Sequence, residues 1–97
     1  MDFRIGHGFD VHQLQQGETL TLGGVTIPHD RGLVGHSDAD VAIHAACDAC
    51  LGALSLGDIG WQFPPSDPQY KDIDSTKLLE ATRQMIAEHG YKVHNLD

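Results

Sequence analysis

A chain of 97 residues suffices for one small domain with a thin core, and no apolar run approaches the ~18 residues a membrane helix needs. The net charge of -8, from 6 basic and 14 acidic residues, disfavours nucleic acid and anionic membranes as partners. It also means that any phosphorylated ligand would have to be met by bound cations or backbone N–H groups.

Phe3 to His7 reads as a short strand that leads into Gly6-His7-Gly8-Phe9-Asp10-Val11-His12. Strand side chains alternate faces, so Asp10 and His12 point the same way. Two metal-capable side chains on one face, beside glycines that let the backbone turn tightly, make half of a metal site. Thr19–Leu22 and Val25–Ile27, separated by Gly23-Gly24, predict a hairpin with a two-residue primed turn, ended by Pro28. Gly32 to His36 reads as a loop. Ser37 then reads as the N-cap of a helix running to about Leu54 or Ser55, with acids in its first turn. Val41, Ile43, Cys47, Cys50, Leu51 and Leu54, with the alanines, make that helix apolar over much of its circumference. Such a helix is buried against a sheet or a neighbouring subunit.

Gly57 to Pro68 is dense in Gly, Pro and Asp and reads as a binding loop. Asp74 or Ser75 caps a second helix, with Leu78, Leu79, Thr82, Met85 and Ile86 on its buried face and Gly90 as its stop. Tyr91-Lys92-Val93 opens what reads as a further strand, so residues 1–97 are expected to form a single domain truncated at its C-terminal end. The N-terminus lacks a basic stretch followed by an apolar one, so a cytoplasmic location is expected.

Seven histidines are many for this length and point to metal or proton chemistry. His7, His29, His89 and His94 read as surface residues. His44, on the apolar helix, reads either as a hydrogen-bonded core histidine or as a third ligand beside Asp10 and His12. The second reading gives a two-histidine, one-carboxylate set with an open position. Spacing does not select His44 over His7 or His36. His36-Ser37-Asp38, at the expected helix start, suits an anion or simple capping. Asp58-Ile59-Gly60 and Phe63-Pro64-Pro65-Ser66-Asp67 suit a polyol or phosphate, or a rigid surface loop. Cys47 and Cys50 lie mid-helix, where cysteine acts as a small hydrophobe rather than a redox or zinc pair. The chain has no P-loop, dinucleotide glycine fingerprint or nucleophile elbow.

Taken in order, Arg4-Ile5-Gly6-His7-Gly8-Phe9-Asp10-Val11-His12, Leu22-Gly23-Gly24-Val25-x-Ile27-Pro28, His36-Ser37-Asp38-x-Asp40-Val41-x-x-His44-Ala45, Leu51-Gly52-Ala53, Gly57-Asp58-Ile59-Gly60 and Phe63-Pro64-x-x-Asp67-Pro68 resemble the 2-C-methyl-D-erythritol 2,4-cyclodiphosphate synthase family across essentially the whole chain. The resemblance implies an α/β (α+β) subunit, a mixed β-sheet with helices packed on one side, in a homotrimer with active sites between subunits. It implies that Asp10, His12 and His44 converge on a tetrahedral zinc. His36, as a catalytic residue, and Ser37 would hold phosphates and support the transition state. Asp10, Val11, His12, Asp58, Ile59 and Gly60 would meet the substrate, and Phe63, Pro64, Pro65, Ser66 and Asp67 would line the same pocket. The implied reaction closes the cyclic diphosphate from 4-diphosphocytidyl-2-C-methyl-D-erythritol 2-phosphate with release of CMP, in non-mevalonate isoprenoid biosynthesis. Magnesium or manganese would accompany the substrate diphosphate. Members of that family continue past the position of Asp97 with a magnesium-binding glutamate, a threonine and a cytidine pocket. The alternative is therefore a zinc-binding, oligomerising fragment without catalytic activity.

Overall fold

The computed structural model describes residues 2–35 and 37–97. In chain order its elements are β1 (Leu14–Gln16), β2 (Leu20–Leu22), β3 (Val25–Ile27), β4 (Arg31–Leu33), α1 (Val41–Ala53), α2 (Ile59–Gln62), one 3-10 turn (Pro68–Tyr70) and α3 (Ser75–Glu88). It is a small mixed α/β arrangement. Among the described residues no helix is long and apolar enough to cross a membrane.

β2 and β3 form the expected hairpin in the register Leu20↔Ile27, Thr21↔Thr26 and Leu22↔Val25. Gly23 and Gly24 both take positive φ, 62° and 81°, which the turn requires. Pro28 follows directly on the last strand residue. Gly32 and Leu33, expected in a loop, instead belong to β4, which pairs antiparallel with β1 as Leu14↔Leu33, Gln15↔Gly32 and Gln16↔Arg31. The two ladders are nested, and Leu33 N donates to Thr19 O at 3.3 Å where they meet. Among the described residues the strands thus make two two-stranded antiparallel sheets, not one mixed sheet. The segments expected to supply further strands, Phe3–His7 and Tyr91–Val93, have no ladder partner there.

What holds residues 4–12 is α1. Gly6 faces the backbone of Ala49, and Gly8 the backbone of Ala45, so closely that a Cβ on either glycine would come to 1.8 Å from the carbonyl oxygen it faces. The opposite side of α1 packs on α3. Ile43, Cys47 and Leu51 meet a stripe of Ser75, Leu78, Thr82 and Ile86 spaced at helical intervals. Ile59, Phe63, Tyr70 and Ile73 close over this core. Leu79, expected in the buried face of α3, is exposed. Its neighbours Leu78 and Thr82 occupy the stripe instead.

Caps set the helix starts. Asp40, not Ser37, is the N-cap of α1, because Ala39 at φ 59° breaks helical continuity before it. Asp40 is fully buried, yet its carboxylate is satisfied three times. Oδ1 accepts from Ile43 N at 3.1 Å and Gly23 N at 2.9 Å, and Oδ2 accepts from Gly24 N at 2.7 Å. The hairpin tip is thereby fastened to the start of α1. Asp48 Oδ1 accepts from Ile59 N at 2.9 Å and fixes the start of α2. Asp74 caps α3 by accepting from Thr76 N at 2.9 Å, and Gly90, at φ 84°, follows its end.

The packing on α1 can be tested at two positions. Gly8→Ala should destabilise the chain by about 3 kcal/mol, since backbone rather than a pliable side chain occupies the space. An unchanged urea midpoint would show that residues 4–12 do not lie on α1. Burial also pushes the Cys47 thiol up from near 9 to about 11. The folded state keeps that proton more tightly than the unfolded chain, so the associated stability is intact below about pH 9 and is lost as pH rises through about 11. Urea midpoints should fall across that window less in Cys47→Ala than in the parent, and Cys47 should resist thiol reagents at pH 8 until the chain unfolds.

Candidate metal centre

The contacts of Gly6 and Gly8 on α1 set where Asp10 and His12 come to lie. Burial alternates from His7 to His12, with Gly8, Asp10 and His12 inward and His7, Phe9 and Val11 outward. The common face of Asp10 and His12 therefore meets α1 near its first turns, where His44 lies buried.

Asp10 Oδ2 is 3.1 Å from His44 Nδ1 and 3.3 Å from His12 Nδ1. One ligand atom from each residue lies within 4.8 Å of the others. The His12 and His44 rings meet edge to face at 5.4 Å. A tetrahedral ion with bonds of about 2.0–2.2 Å spaces its ligand atoms about 3.4 Å apart, and the two distances from Asp10 Oδ2 to the histidine nitrogens match that spacing. The fit has a second support. His12 Nδ1 is buried and, among the described residues, makes no hydrogen bond. Its 3.3 Å approach to Asp10 lies off the line a hydrogen bond requires. A buried acceptor without a donor is costly, and a cation at the convergence point would satisfy it. Two imidazoles and one carboxylate suit a divalent ion.

Behind the trio, His44 Nε2 is 2.8 Å from Ser75 Oγ and 3.1 Å from Ser37 Oγ. Ser75 Oγ in turn donates to Asp38 Oδ1. On the other side, Gly35 lies against the His12 ring, where a Cβ would come within 3.2 Å of Nε2.

A cleft of about 200 Å³ opens beside the trio. Of the residues singled out by sequence, Asp10, His12, Ser37, His44, Ile59, Gly60, Phe63 and Pro65 line it, joined by Tyr70, Ile73 and Leu78. Val11, Asp58, Pro64, Ser66 and Asp67 are not among its lining residues. Val11 is exposed on the face opposite Asp10 and His12. Asp58 Oδ1 caps α2 by accepting from Trp61 N at 2.8 Å, and Asp67 Oδ1 caps the 3-10 turn by accepting from Gln69 N at 3.1 Å. His36 lies outside the described residues. The anion site expected at a helix start on Ser37 is displaced, because Asp40 takes that start. Ser37 instead accepts from Ala39 N at 3.3 Å and reaches His44. His7, His29, His89 and His94 are exposed, as their residue type suggested. No local signal marks Asp38 and Ser75 as supports of His44. Sequence shows them only as residues near helix starts, and their meeting depends on α3 packing against α1.

An α/β domain that seats a carboxylate and an imidazole against a second imidazole on an alanine-rich helix defines a class, that of chains with a two-histidine, one-carboxylate group suited to a divalent metal. Within that class the chain belongs to the YgbB family, whose model matches residues 3–97. It is 64% identical over 94 residues to the 2-C-methyl-D-erythritol 2,4-cyclodiphosphate synthase of Desulfatibacillum aliphaticivorans, covering 97% of this chain and 61% of that protein. It is 60% identical over 95 residues to the synthase of the same name from Nitrosospira multiformis, covering 98% and 54%. A solved 2C-methyl-D-erythritol-2,4-cyclodiphosphate synthase in its CDP-bound form superposes with a TM-score of 0.84 at 42% identity, covering 90% of this chain and 58% of that one. The Plasmodium falciparum IspF CDP complex does so with a TM-score of 0.77 at 37% identity, covering 97% and 56%. The chain thus spans between half and two thirds of the length of these relatives.

Titration with zinc should show one bound ion per chain. At a free zinc concentration of 100 times Kd, binding should stabilise the fold by about 2.7 kcal/mol. Asp10→Ala or His12→Ala should abolish that gain, read as the shift in urea midpoint. Equal stabilisation of parent and variants would place the ion elsewhere.

Proposed function

We propose that the protein converts 4-diphosphocytidyl-2-C-methyl-D-erythritol 2-phosphate to 2-C-methyl-D-erythritol 2,4-cyclodiphosphate with release of CMP. The observation that carries this reading is the convergence of Asp10, His12 and His44 beside a cleft, in a chain so close in sequence to enzymes of that name. The 2-phosphate is tethered to the molecule it attacks, so the protein's task is to fold the substrate for in-line attack at the β-phosphorus. Asp10, His12 and His44 would hold zinc, which when bound polarises and positions the diphosphate. Magnesium or manganese would arrive with the substrate as its counterion.

The remaining roles fall to this chain's own side chains. Ser37 reaches the cleft beside His44 and is placed to donate its hydroxyl to a phosphate oxygen. His36, adjacent in sequence, would share that task. Ile59 and Gly60 would receive the erythritol backbone at the cleft's rim, with Asp58 beside them. Phe63 and Pro65 supply an apolar wall that keeps water from the reacting phosphates. We read the protein as a cytoplasmic homotrimer whose sites lie between subunits. Phe3, Ile5, Phe9 and Val11 support this. They are 69–84% exposed on the side of their segment turned away from α1, an apolar strip in need of cover.

A second reading takes the same three side chains as the metal group of a zinc-binding, oligomerising piece without turnover. A single assay separates the two. The chain, loaded with zinc and magnesium, should release CMP from the substrate, measured chromatographically, and Asp10→Ala and His12→Ala should each lower the rate by at least about 100-fold. Zinc retained with no CMP released would select the second reading.

A further inference from the structure

The group behind His44 is more elaborate than a core histidine needs. Asp38 lies in the turn before α1, where its Oδ1 accepts from Asp40 N at 3.1 Å and its Oδ2 from Ser75 N at 2.9 Å. Ser75 is completely buried at the first position of α3. Its Oγ contacts Asp38 Oδ1 on one side and lies 2.8 Å from His44 Nε2 on the other.

The direction of each hydrogen bond is set by the groups present. An ionised carboxylate only accepts, so the single Ser75 hydroxyl hydrogen goes to Asp38. Ser75 Oγ then offers His44 a lone pair. Were His44 Nε2 also a bare lone pair, the two would be pressed together at 2.8 Å. Nε2 therefore carries hydrogen. Nδ1 lies 3.1 Å from Asp10 Oδ2 and hydrogen-bonds to that carboxylate when no metal is bound; with Nε2 held as N–H by Ser75, Nδ1 is the nitrogen whose hydrogen a cation would replace, so that its lone pair meets the convergence point of Asp10 and His12. Ser37 Oγ, 3.1 Å from the same Nε2, can accept as well, which leaves its own hydrogen free for the cleft.

We propose that Asp38 and Ser75 are positioning residues, a relay that holds the proton of His44 on Nε2 and so aims its Nδ1 lone pair at the metal position. The proposal rests on the metal reading of Asp10, His12 and His44. Metal-bound histidines are held in this way through the nitrogen that does not bind the metal, and loss of such a partner weakens affinity about 10- to 100-fold.

The test has one arm without metal and one with it. Long-range proton–nitrogen NMR on the metal-free, nitrogen-15-labelled chain at pH 8 should find His44 Nε2 protonated. Finding the hydrogen on Nδ1 with Nε2 bare would overturn the relay. In competition with a chromophoric chelator, Ser75→Ala should bind zinc about 10- to 100-fold more weakly than the parent and lose the Nε2 preference. Affinity equal to the parent's would overturn the proposal. Should Ser75→Ala fail to fold by circular dichroism, the proton position in the parent decides alone. A parent chain whose zinc affinity is absent, or is unchanged by Asp10→Ala, would overturn the metal reading, and the metal-free NMR result would still report on the relay separately.

Discussion

Everything at the site depends on how closely one extended segment lies on one helix. Gly6 and Gly8 rest on the backbone of α1 at Ala49 and Ala45, with Ala53 also under Gly6. Two residues of extended chain advance about 6.6 Å, and four residues of helix about 6 Å, so glycines two apart can sit on successive turns of α1. The same spacing continues to Asp10 and His12, which arrive at the first turns of the helix as His44 does. A methyl group on either glycine would lift the segment and carry Asp10 away from His44. The alanines answer the glycines. Larger residues at Ala45 or Ala49 would keep the segment off just as effectively.

A second constraint fixes the other wall. The carboxylate of Asp40 is fully buried, and only its three N–H partners make that tolerable. Because those partners come from the hairpin turn and from α1, one side chain joins sheet and helix. The left-handed turn at Ala39 then directs the preceding residues away from the helix axis and toward α3. Asp38 N donates to Ile73 O at 3.3 Å, and the Asp38 carboxylate receives Ser75. The starts of α1 and α3 are thus tied to one another behind His44. An imidazole held from behind in this way has little freedom to turn, as a ligand needs.

These two constraints mark where the sequence is readable and where it is not. The hairpin is legible because Gly23-Gly24 is a local instruction, positive φ at both turn positions, that no tertiary contact has to supply. The cap and stop of α3 are legible for the same reason, in Asp74 and Gly90. The pairing of β1 with β4 is not. Leu14-Gln15-Gln16 carries no β-branched residue, and its ladder exists because the hairpin inside it brings its two ends together. The cap of α1 falls on Asp40 rather than Ser37, although both are good caps locally. What favours Asp40 is the left-handed turn at Ala39 just before it, together with the pair of glycine N–H groups that reach its carboxylate from another element. Phe3–His7 has the pattern of a strand and the burial alternation of one further along, but its backbone partner among the described residues is a helix. Of the candidate site, Asp10 and His12 are legible as a pair from their spacing. His44 is not separable from His7 or His36 by residue type, and short of the fold only the resemblance picks it out. Asp58 and Asp67 have the residue type of polyol ligands, whereas one oxygen of each is spent on the backbone it caps.

Charge explains why the metal position and the cleft belong together. A chain of net charge -8 is a poor host for a diphosphate, and no Lys or Arg is among the described residues that line the cleft. The wall opposite the trio is apolar, formed by Ile59, Phe63, Tyr70, Ile73 and Leu78. Such a wall cannot neutralise an anion, but it lowers the local dielectric and so strengthens any cation–phosphate attraction at the open end of the trio. On the proposed reading the division of labour is complete. The imidazoles and the Asp10 carboxylate would hold a cation able to neutralise the phosphates, and the apolar wall would help bend a substrate that already contains its own nucleophile. A lysine in the cleft would bind the same anion less selectively, because a flexible ammonium attracts phosphate from many directions, whereas Asp10, His12 and His44 are side chains held in fixed positions from which a cation would be oriented.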